Sequence, residues 1–408
     1  MLLSPLLKRL IRTGNLTIIK AAGHAETFGP GDAPTVTVRF HNRTLPYRIL
    51  FNPTLAVGEA YMDGTLTIEQ GTLRDFLHLC TVGFPDLDCQ FFNSAWRRLT
   101  HPFRTLRQYN PIHRARKNVS HHYDLSGHLY DMFLDSDRQY SCAYFENGNE
   151  SLEEAQEKKR RHIMAKLLPE PGMTVLDIGS GWGGLALNLA QTANVNVKGI
   201  TLSQEQLQAA NERAARSGLS EQVRFGLQDY RAERDTYDRI VSVGMFEHVG
   251  VPHYREYFVS LRRLLKPDGI ALVHAIGSME PPATGDPWIG KYIFPGGYCP
   301  ALSEVLAEIE KAGLWVTDIE ILRLHYAETL RHWFERFQAK RHLAAQLYDE
   351  RFCRMWEFYL AASEIAFRNG PMMVFQIQLA RRRDAVPLTR DYITDLESRF
   401  GQTKDRAA

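Results

Sequence analysis

The stretch VLDIGSGWGGLALNLA, residues 175–190, joins a short apolar run to a helix-like segment through a turn that holds four glycines. Glycines at such a turn let a ligand approach the backbone closely, and the first N–H groups of the following helix can bind it. Nicotinamide enzymes use a similar turn, and glycines can also serve only the packing of a helix on a strand. The turn therefore indicates an α/β ligand site but leaves the ligand open.

The alternation of strands and helices after residue 174 determines the predicted fold class. The apolar runs of strand length are TVLDI, VNVKGI, VRFGL, DRIVSVG and IALVHAIG. Helical segments separate them near residues 183–192, 203–217, 252–265 and 303–312. This rhythm predicts a doubly wound, Rossmann-like α/β sheet, whose ligands bind beyond the carboxyl ends of the strands, near the point where the strand order reverses. The stretch SVGMFEHVG, residues 242–250, is such a strand end.

Two details around the glycines favour one cofactor. Asp177 precedes them, where a carboxylate would repel a pyrophosphate but suits an α-ammonium group. The next strand ends in VKGITLS, without the acid that holds the ribose hydroxyls in a dinucleotide fold. After the third strand, Gln228 and Asp229 suit the exocyclic amine of an adenine. An amino acid at one end and an adenine at the other describe S-adenosylmethionine, which the sequence therefore predicts over NAD.

Segments outside this region predict a second, smaller domain. TVTVRF and PYRILF alternate like a hairpin, TLTIEQ adds a short strand, and Thr72–Cys80 is typical of a helix. We therefore place a small mixed α+β domain at residues 1–115 and a methyltransferase domain at 116–400. The Pro- and Gly-rich residues 278–300 form a loop long enough to be a lid. Residues 326–369 have helical spacing, and MVFQIQLA is a final strand.

A segment between Asp88 and Asp124 has no acidic residue but seven Lys and Arg side chains, interleaved with aromatic residues such as Trp96. It could be a solvated linker between domains. It could also be a surface for anionic lipid headgroups, where basic and aromatic side chains favour the interface. Nucleic acid is a weaker third interpretation. The basic residues are Arg97, Arg98, Arg104, Arg107, Arg114, Arg116 and Lys117.

Composition argues against several classes of protein. The net charge of +2 over 408 residues argues against a dedicated nucleic-acid binder. The five cysteines are odd in number and lack a C-x-x-C pair, so they indicate reduced thiols in a cytoplasm and no metal site. The N-terminal MLLSPLLKRLI does not have the pattern of a signal peptide. No apolar stretch reaches roughly 18 residues, so any membrane contact is expected from the side.

Seven motifs follow one another along the chain: HHYDLSGHLYDMFLD, QYSCAYF, VLDIGSGWGGLA, GITLSQEQ, YDRIVSVGMFEHVG, DPWIGKYIFPGG and HYAETLRHWFERF. Together they resemble the cyclopropane-fatty-acyl-phospholipid synthases, with the mycolic acid cyclopropane synthases and methyltransferases as relatives. The resemblance runs from about residue 120 to 380. The preceding segment resembles the small N-terminal domain of the bacterial phospholipid enzymes.

The resemblance implies that a methylene group from S-adenosylmethionine is added across a cis double bond of a phospholipid acyl chain. An isolated alkene has no acidic proton, so it attacks the sulfonium methyl directly and leaves a carbocation. A base must then remove a proton from the new methyl group before the ring can close. In the family this base is thought to be a bound bicarbonate ion. The matching positions here are Cys142, Glu247, His274, the backbone of Ile276, and Tyr326.

These positions also have ordinary structural interpretations. Cys142 could be a small buried hydrophobe, and Glu247 could cap the following helix. His274 could be a satisfied core histidine, and Tyr326 could belong to an amphipathic helix face. The resemblance predicts instead that they converge at one edge of the sheet.

The resemblance also assigns the cofactor pocket. Tyr140 and Ser141 match positions near the methionine end, and Tyr123 is expected to close over the sulfonium, which an aromatic face attracts. Ser363 stands where many relatives carry Cys, and a hydroxyl cannot replace a thiolate without an activating partner, so we assign it no catalytic role. The remaining predicted cofactor positions are Asp177, Gly179, Gly181, Gly183, Thr201, Gln206, Gln228 and Asp229.

Three rival functions remain open from the sequence. The carbocation could be quenched differently, which would give a methyl-branched or hydroxylated chain instead of a ring. The chain could also be a methyltransferase for a soluble small molecule, or a lipid-binding protein without catalysis. The resemblance further implies a homodimer whose N-terminal domain binds lipid or pairs the subunits. It implies a location in the cytoplasm, peripherally on the inner face of the membrane.

Overall fold

The computed structural model describes residues 2–83 and 127–405, with side chains described up to residue 402. Two compact units make up the chain. The N-terminal unit comprises Met1–Arg104, Ala283–Pro295 and Ala327–Met372, and the sheet unit comprises Thr105–Pro282, Gly296–Tyr326 and Met373–Ala408. The N-terminal unit therefore includes two later segments that we had placed in the domain at 116–400. The domain boundary predicted at residue 115 lies outside the described residues.

The N-terminal unit begins with a small sheet and four helices. The strands are β1 (Asn15–Ile19), β2 (Ala25–Phe28), β3 (Thr35–Phe40) and β4 (Leu66–Gln70), in the spatial order β2-β1-β3-β4. The helices are α1 (Ser4–Leu10), α2 (Leu45–Phe51), α3 (Pro53–Met62) and α4 (Leu73–Val82). The predicted strands at TVTVRF and TLTIEQ are confirmed as β3 and β4. The predicted helix is α4, which Thr72 and Asp75 start with a capping box.

The strand predicted at PYRILF is wrong, because these residues lie in α2. Pro46 sits in the first turn of this helix, where its missing N–H would have no intrahelical partner in any case. The apolar residues of α2 are not a buried alternating face, since Tyr47, Leu50 and Phe51 are all exposed. β3 pairs instead with β4, which follows α3.

The sheet unit contains seven strands among the described residues: β5 (Thr174–Ile178), β6 (Asn196–Thr201), β7 (Val223–Leu227), β8 (Tyr237–Val243), β9 (Leu265–Ser278), β10 (Trp315–Leu322) and β11 (Met372–Ala380). Their spatial order is β10-β11-β9-β8-β5-β6-β7. β5 to β9 pair in parallel, whereas β10 and β11 are antiparallel. The strand order reverses between β5 and β8, so a ligand crevice is expected at their carboxyl ends.

Both faces of the central strands are buried, which explains their nearly continuous apolar sequences. Val175, Val241 and Leu272 belong to one hydrophobic cluster, and their chain neighbours Leu176 and Ile240 belong to another. Seven helices belong to this unit among the described residues. Three of them were not predicted: α5 (Gly127–Phe133), α6 (Leu152–Leu167) and α15 (Asp391–Asp405). The four that were predicted between the strands are confirmed as α7 (Gly184–Ala193), α8 (Gln204–Arg216), α9 (Tyr254–Leu264) and α11 (Leu302–Ala312).

The later segments of the chain differ in part from their prediction. The predicted lid loop contains α10 (Pro287–Tyr292), whose Trp288 is buried in the N-terminal unit against Phe358, with ring centroids 4.8 Å apart. The predicted helical region is confirmed as α12 (His325–Ala339), α13 (Arg341–Leu347) and α14 (Glu350–Asn369). In the described parts of the chain, none of the helices is both long enough and apolar enough to span a bilayer.

Candidate active site

A cleft opens in the sheet unit at the carboxyl ends of the parallel strands, beside the point where the strand order reverses. It encloses about 1190 Å³, which includes space open to solvent. Such a crevice is where doubly wound sheets bind their ligands. Nine of the predicted cofactor positions line it: Tyr140, Ser141, Asp177, Gly179, Gly181, Thr201, Gln206, Gln228 and Asp229.

Asp177, near the end of β5, is a buried acid in this cleft, with only 2% of its surface exposed. Its Oδ2 has no hydrogen-bond partner within the described residues. Burial raises the pKa of this carboxyl to about 7, and the positive charge of Lys159 acts in the opposite direction. A buried acceptor without a donor fits a ligand that brings its own N–H groups. The α-ammonium group of S-adenosylmethionine is such a donor.

The glycine turn brings the backbone to the cleft. Gly179 and Gly181 have φ values of +86° and +54°, in the left-handed region that favours glycine. A Cβ on Gly181 would meet no described atom within 4 Å, so this residue borders open space. Gly183, which we predicted to bind the cofactor with them, is not among the cleft-lining residues. It caps α7, and a Cβ there would come within 2.7 Å of the Phe225 ring, so the structure gives this glycine a packing role.

The segment that carries Tyr140 and Ser141 is held in place by α6. Gln156 Nε2 donates to the Ser141 carbonyl at 2.9 Å, and Lys159 Nζ donates to Ser141 Oγ at 2.8 Å. Gln156 and Lys159 lie one turn apart on the buried face of the helix. Burial lowers the pKa of Lys159 to about 7. A buried lysine that is only partly charged at neutral pH therefore holds the segment at this end of the cleft.

The other end of the cleft is already organised by protein hydrogen bonds. Thr201 Oγ1 donates to Gln206 Oε1 at 2.8 Å, and Gln228 Nε2 donates to Glu233 at 3.0 Å. Both carboxylate oxygens of Asp229 accept from Arg231, at 2.8 and 2.7 Å. These contacts fix the side chains that follow the second and third strands, including Gln228 and Asp229, where an adenine is predicted.

Glu247 forms a second acidic position directly beside the cleft, because its chain neighbours Met245 and His248 line the cleft. Its Oε1 accepts from the backbone N–H of Ile276, at the end of β9, at 2.6 Å. Its Oε2 is buried and has no hydrogen-bond partner within the described residues. Burial raises the pKa of Glu247 to about 7, and the hydrogen bond from Ile276 limits the rise. The structure thus brings two predicted catalytic positions together and leaves one acceptor open.

His274 lies two residues before Ile276 on the same strand and is 2% exposed. Its Nδ1 is 3.1 Å from Nε2 of Gln376 on β11. Burial, together with the nearby charges of Lys159 and Lys166, keeps the pKa of His274 well below its usual value. His274 is therefore neutral at physiological pH and can act as a hydrogen-bond donor through one ring nitrogen.

Cys142 and Tyr326 come from two segments that the structure joins. Both side chains are buried. The backbone N–H of Phe145, three residues after Cys142, donates to Nδ1 of His325 at 3.0 Å, and His325 directly precedes Tyr326. Tyr123, the remaining predicted cofactor residue, lies outside the described residues.

Comparisons with known proteins identify the family. Residues 111–377 match the family model described as mycolic acid cyclopropane synthetase. The chain belongs to this family. Residues 3–81 match a separate model, a domain of unknown function (DUF7884). The predicted family is thereby confirmed.

Relatives of this family cover most of the chain. It is 40% identical over 353 residues to the cyclopropane-fatty-acyl-phospholipid synthase of Escherichia coli (strain K12), covering 86% of this chain and 89% of that protein. It is 35% identical over 393 residues to tuberculostearic acid methyltransferase UfaA1 of Mycobacterium tuberculosis, covering 92% and 90%. The solved structure of mycolic acid cyclopropane synthase CmaA1 complexed with SAH and CTAB aligns with a TM-score of 0.62 and 34% identity, over 67% of this chain and 99% of that chain. The predicted Rossmann-like methyltransferase fold is thereby confirmed.

The sequence analysis did not identify several residues that hold the cleft-lining segments in place. Lys159 stands in the strongly charged segment EEAQEKKRRH, where nothing separates it from its solvated neighbours except its place on the buried helix face. Arg213 donates to the carbonyls of Asp137 and Trp182, at 3.2 and 2.9 Å, and so ties the glycine turn to the Tyr140 segment. The hydrophobic periodicity of a helix shows which of its faces is buried. It does not show which distant residues Lys159 and Arg213 contact.

Proposed function

We propose that the protein is a cyclopropane-fatty-acyl-phospholipid synthase, which converts the cis double bond of an unsaturated phospholipid acyl chain into a cyclopropane ring. One observation carries the proposal: a cleft suited to S-adenosylmethionine adjoins a buried acid, Glu247, whose second oxygen lacks a partner in the described chain. Ordinary methyl transfer to a nucleophile needs only the cleft. Ring formation also needs a place to hold a base for the later proton removal.

S-adenosylmethionine supplies an electrophilic methyl group when it is bound. The π electrons of the alkene form the new C–C bond, and the C–S electron pair remains on sulfur. The positive charge is then on the neighbouring acyl carbon. A base takes a proton from the added methyl group, and the electrons of that C–H bond close the ring. Asp177 and the turn at Gly179 and Gly181 would hold the cofactor.

The residues around Glu247 fit a bicarbonate ion as that base. Glu247 Oε2 can accept the hydrogen of bicarbonate, because this oxygen is buried and has no partner among the described residues. Neutral His274 can donate to the ion without protonating it, since its pKa is held well below the usual value. Cys142, Tyr326 and the backbone of Ile276 complete the proposed set by resemblance to the family.

The proposed substrate requires contact with a bilayer, and α2 offers a surface for it. Tyr47, Leu50 and Phe51 are 57%, 41% and 89% exposed, and Arg43 and Arg48 are exposed on the same short segment. Aromatic and aliphatic side chains beside basic residues favour an anionic membrane interface. We propose that this patch binds the inner face of the membrane peripherally. The predicted basic lipid surface between Asp88 and Asp124 lies outside the described residues and remains a prediction, as does the homodimer.

The α2 patch can be tested by co-sedimentation with vesicles of unsaturated anionic phospholipid. Leu50→Ser with Phe51→Ser should lower vesicle binding about tenfold or more, because burying each of these side chains contributes roughly 1.5–3 kcal/mol. Leu388→Ser is the matched control, since Leu388 is fully exposed in the sheet unit. Equal binding by the α2 variant and the control would remove the patch from the proposal. Sedimentation velocity without lipid tests the homodimer.

A methyl-branched product is the second candidate function. It is favoured by the 35% identity to tuberculostearic acid methyltransferase UfaA1, which covers 92% of this chain. In that case the carbocation would not close into a ring. The base proposed at Glu247 would then have no role in ring closure.

The deciding experiment incubates the purified protein with methyl-labelled S-adenosylmethionine and unsaturated anionic vesicles. We expect label in the acyl chains, in a product that has gained CH2 and lost its double bond without gaining a branch. Label in a branched chain would favour the second candidate. Label only in added soluble acceptors, or no label in lipid, would contradict both and support a soluble-substrate enzyme or a non-catalytic lipid binder.

A further inference from the structure

Three buried polar side chains on α6, β11 and β9 form a continuous hydrogen-bonded chain that ends at His274. Lys166 Nζ on α6 donates to Gln376 Oε1 on β11 at 2.8 Å. Gln376 Nε2 lies 3.1 Å from His274 Nδ1 on β9. Lys166 and Gln376 are fully buried, and His274 is 2% exposed. The geometry therefore joins a buried cation to the proposed ligand-binding histidine through one amide.

The direction of these hydrogen bonds follows from the chemistry of the groups. An ammonium has only donors, so the amide oxygen of Gln376 must face Lys166, whichever way the amide could otherwise be turned. The amide NH2 then faces His274, and an NH2 group can only donate. Nδ1 of His274 must accept this hydrogen bond with its lone pair, so the ring proton is on Nε2.

We propose that Lys166 and Gln376 are positioning residues that hold His274 as the neutral Nε2–H tautomer, so that it presents a donor to the base anion. This inference rests on the proposed function for the identity of the anion. The tautomer itself follows from the hydrogen-bond chain alone. Neither positioning residue is assigned a direct contact with lipid or cofactor.

Two carboxylates of β10 pair with Lys166 and orient its side chain. It contacts Glu320 of β10 by a hydrogen bond, and Asp318 lies 3.7 Å away. Burial lowers the pKa of Lys166, and these carboxylates oppose the fall. Glu320 also bonds Nε2 of His162 at 2.6 Å, and Nδ1 of His162 bonds Glu397 of α15. These contacts therefore hold the Lys166 ammonium in place independently of its hydrogen bond to Gln376.

The charges around His274 favour the same neutral state. Lys159, His162 and Lys166, all on the buried face of α6, disfavour an imidazolium at His274, and Glu320 of β10 opposes them. An imidazolium would also direct Nδ1–H at the amide NH2 of Gln376, donor against donor. A charged His274 could neutralise the anion by giving it a proton. A neutral donor binds the anion and leaves its basicity intact.

The direct test is 15N NMR of the full-length protein labelled at histidine nitrogens, with His274 assigned by comparison with His274→Asn. We expect the wild-type protein at neutral pH to show an unprotonated Nδ1 and a protonated Nε2 at His274. A protonated Nδ1, in either the neutral ring or the imidazolium, would overturn the inference. This readout needs neither substrate nor turnover, so it stands or falls separately from the proposed function.

Gln376→Glu reverses the polarity at Nδ1, because a carboxylate accepts where the amide donates, and Lys166 remains to pair with it. We expect His274 to take a proton on Nδ1 and to titrate at higher pH. The KM for bicarbonate should rise about 10- to 100-fold, the range seen when the hydrogen-bond partners of metal-binding histidines are replaced. Affinity for S-adenosylmethionine should be unchanged.

Gln378→Glu is the matched control. Gln378 is also fully buried on β11, but its amide bonds the Lys166 carbonyl, Thr317 and Tyr392. This variant should retain the wild-type tautomer and pH profile. Lys166→Met is a second variant, which frees the amide to turn and should populate both tautomers. A wild-type spectrum for both Gln376→Glu and Lys166→Met, or the same change in Gln378→Glu, would contradict the inference.

Discussion

The cofactor cleft and the acid site beside it differ in how many of their polar groups have hydrogen-bond partners within the protein. The acid site is the position of Glu247 and the backbone of Ile276, where the base is proposed to bind. At the end of the cleft where an adenine is predicted, Gln228 and Asp229 each hold a protein partner. In the acid site, Glu247 keeps a buried oxygen without one among the described residues. Buried polar groups are almost always paired. The difference fits our proposal that a ligand completes the acid site, whereas protein hydrogen bonds already hold the side chains at the predicted adenine end. Asp177, inside the cleft, resembles Glu247 in this respect, because its buried Oδ2 also has no hydrogen-bond partner among the described residues.

Glu247→Gln should give the largest effect, because it breaks the acid site and leaves the cleft intact. An amide cannot accept as strongly, and it presents a donor where the proton of the bound anion is expected. We expect kcat to fall by roughly 10² to 10⁴, the usual contribution of acid–base groups. The Kd for S-adenosylmethionine, measured by calorimetry, should be nearly unchanged. An equal loss of cofactor binding would reassign Glu247 to the cleft and remove the contrast.

Asp177→Asn should give the next largest effect, and on binding instead of turnover. A hydrogen bond to a charged group contributes about 1.5–3 kcal/mol, so the Kd for S-adenosylmethionine should rise roughly 10- to 100-fold. Asp229→Asn is the comparison variant, and its loss should be smaller, since Arg231 already occupies both oxygens of Asp229. Equal losses would show that a prior protein partner does not matter.

The affinity of the protein for S-adenosylmethionine should also depend on pH, through the ionisation of Asp177. The ligand needs the ionised carboxylate, and burial raises the pKa of this carboxyl to about 7. Affinity in the wild-type protein should therefore weaken as the pH falls below about 7. The Asp177→Asn variant should lose most of this dependence between pH 6 and 8 in the same calorimetric titration.

Protein stability should show the cost of the two open carboxyls. Their folded pKa values, about 7, are raised above the ordinary values, so the folded state binds more protons than the unfolded state between about pH 4 and 7. Their contribution to stability is present at low pH and is lost as the pH rises through 7. The free energy of unfolding of the double variant Asp177→Asn/Glu247→Gln, minus that of wild type, should increase by at least about 1 kcal/mol from pH 5 to pH 8. One pKa unit corresponds to about 1.4 kcal/mol. Urea unfolding without ligand measures this difference.

Ser363→Ala should have the smallest effect. Ser363 lies on α14 in the N-terminal unit, and we assign it to neither the cleft nor the acid site. Turnover on vesicles should remain within about twofold of wild type, in the range of near-neutral substitutions. A loss approaching that of Glu247→Gln would show that a hydroxyl at this position takes part in catalysis.

The sheet was predictable because its signals are local. Strands buried on two faces have continuous apolar sequences, and the glycine turn marks the first ligand-binding strand end. β10 was not predicted, because its sequence WVTDIEIL lies at the edge of the sheet and alternates poorly. PYRILF was misread because apolar spacing over a few residues fits both a strand and a short helix. There, the position of Pro46 was the better guide.

The sequence predicted which site residues lie at the ends of strands. It did not predict which distant side chains form hydrogen bonds with them. Strand ends placed Asp177, Glu247 and His274 at one edge of the sheet. The partners of these groups come from distant segments. Gln376 reaches His274 across 102 residues, and Lys166 reaches Gln376 across 210. No local pattern could identify which buried amide sets the tautomer of which histidine.

The central claim is that an added methyl group loses a proton and closes a ring. The most direct measurement uses S-adenosylmethionine with a fully deuterated methyl group and unsaturated vesicles, followed by mass spectrometry of the acyl chains. The account predicts products that keep two deuterons in the ring, with the third removed by the base at Glu247. Products that keep all three, or a lipid fraction without deuterium, would contradict it.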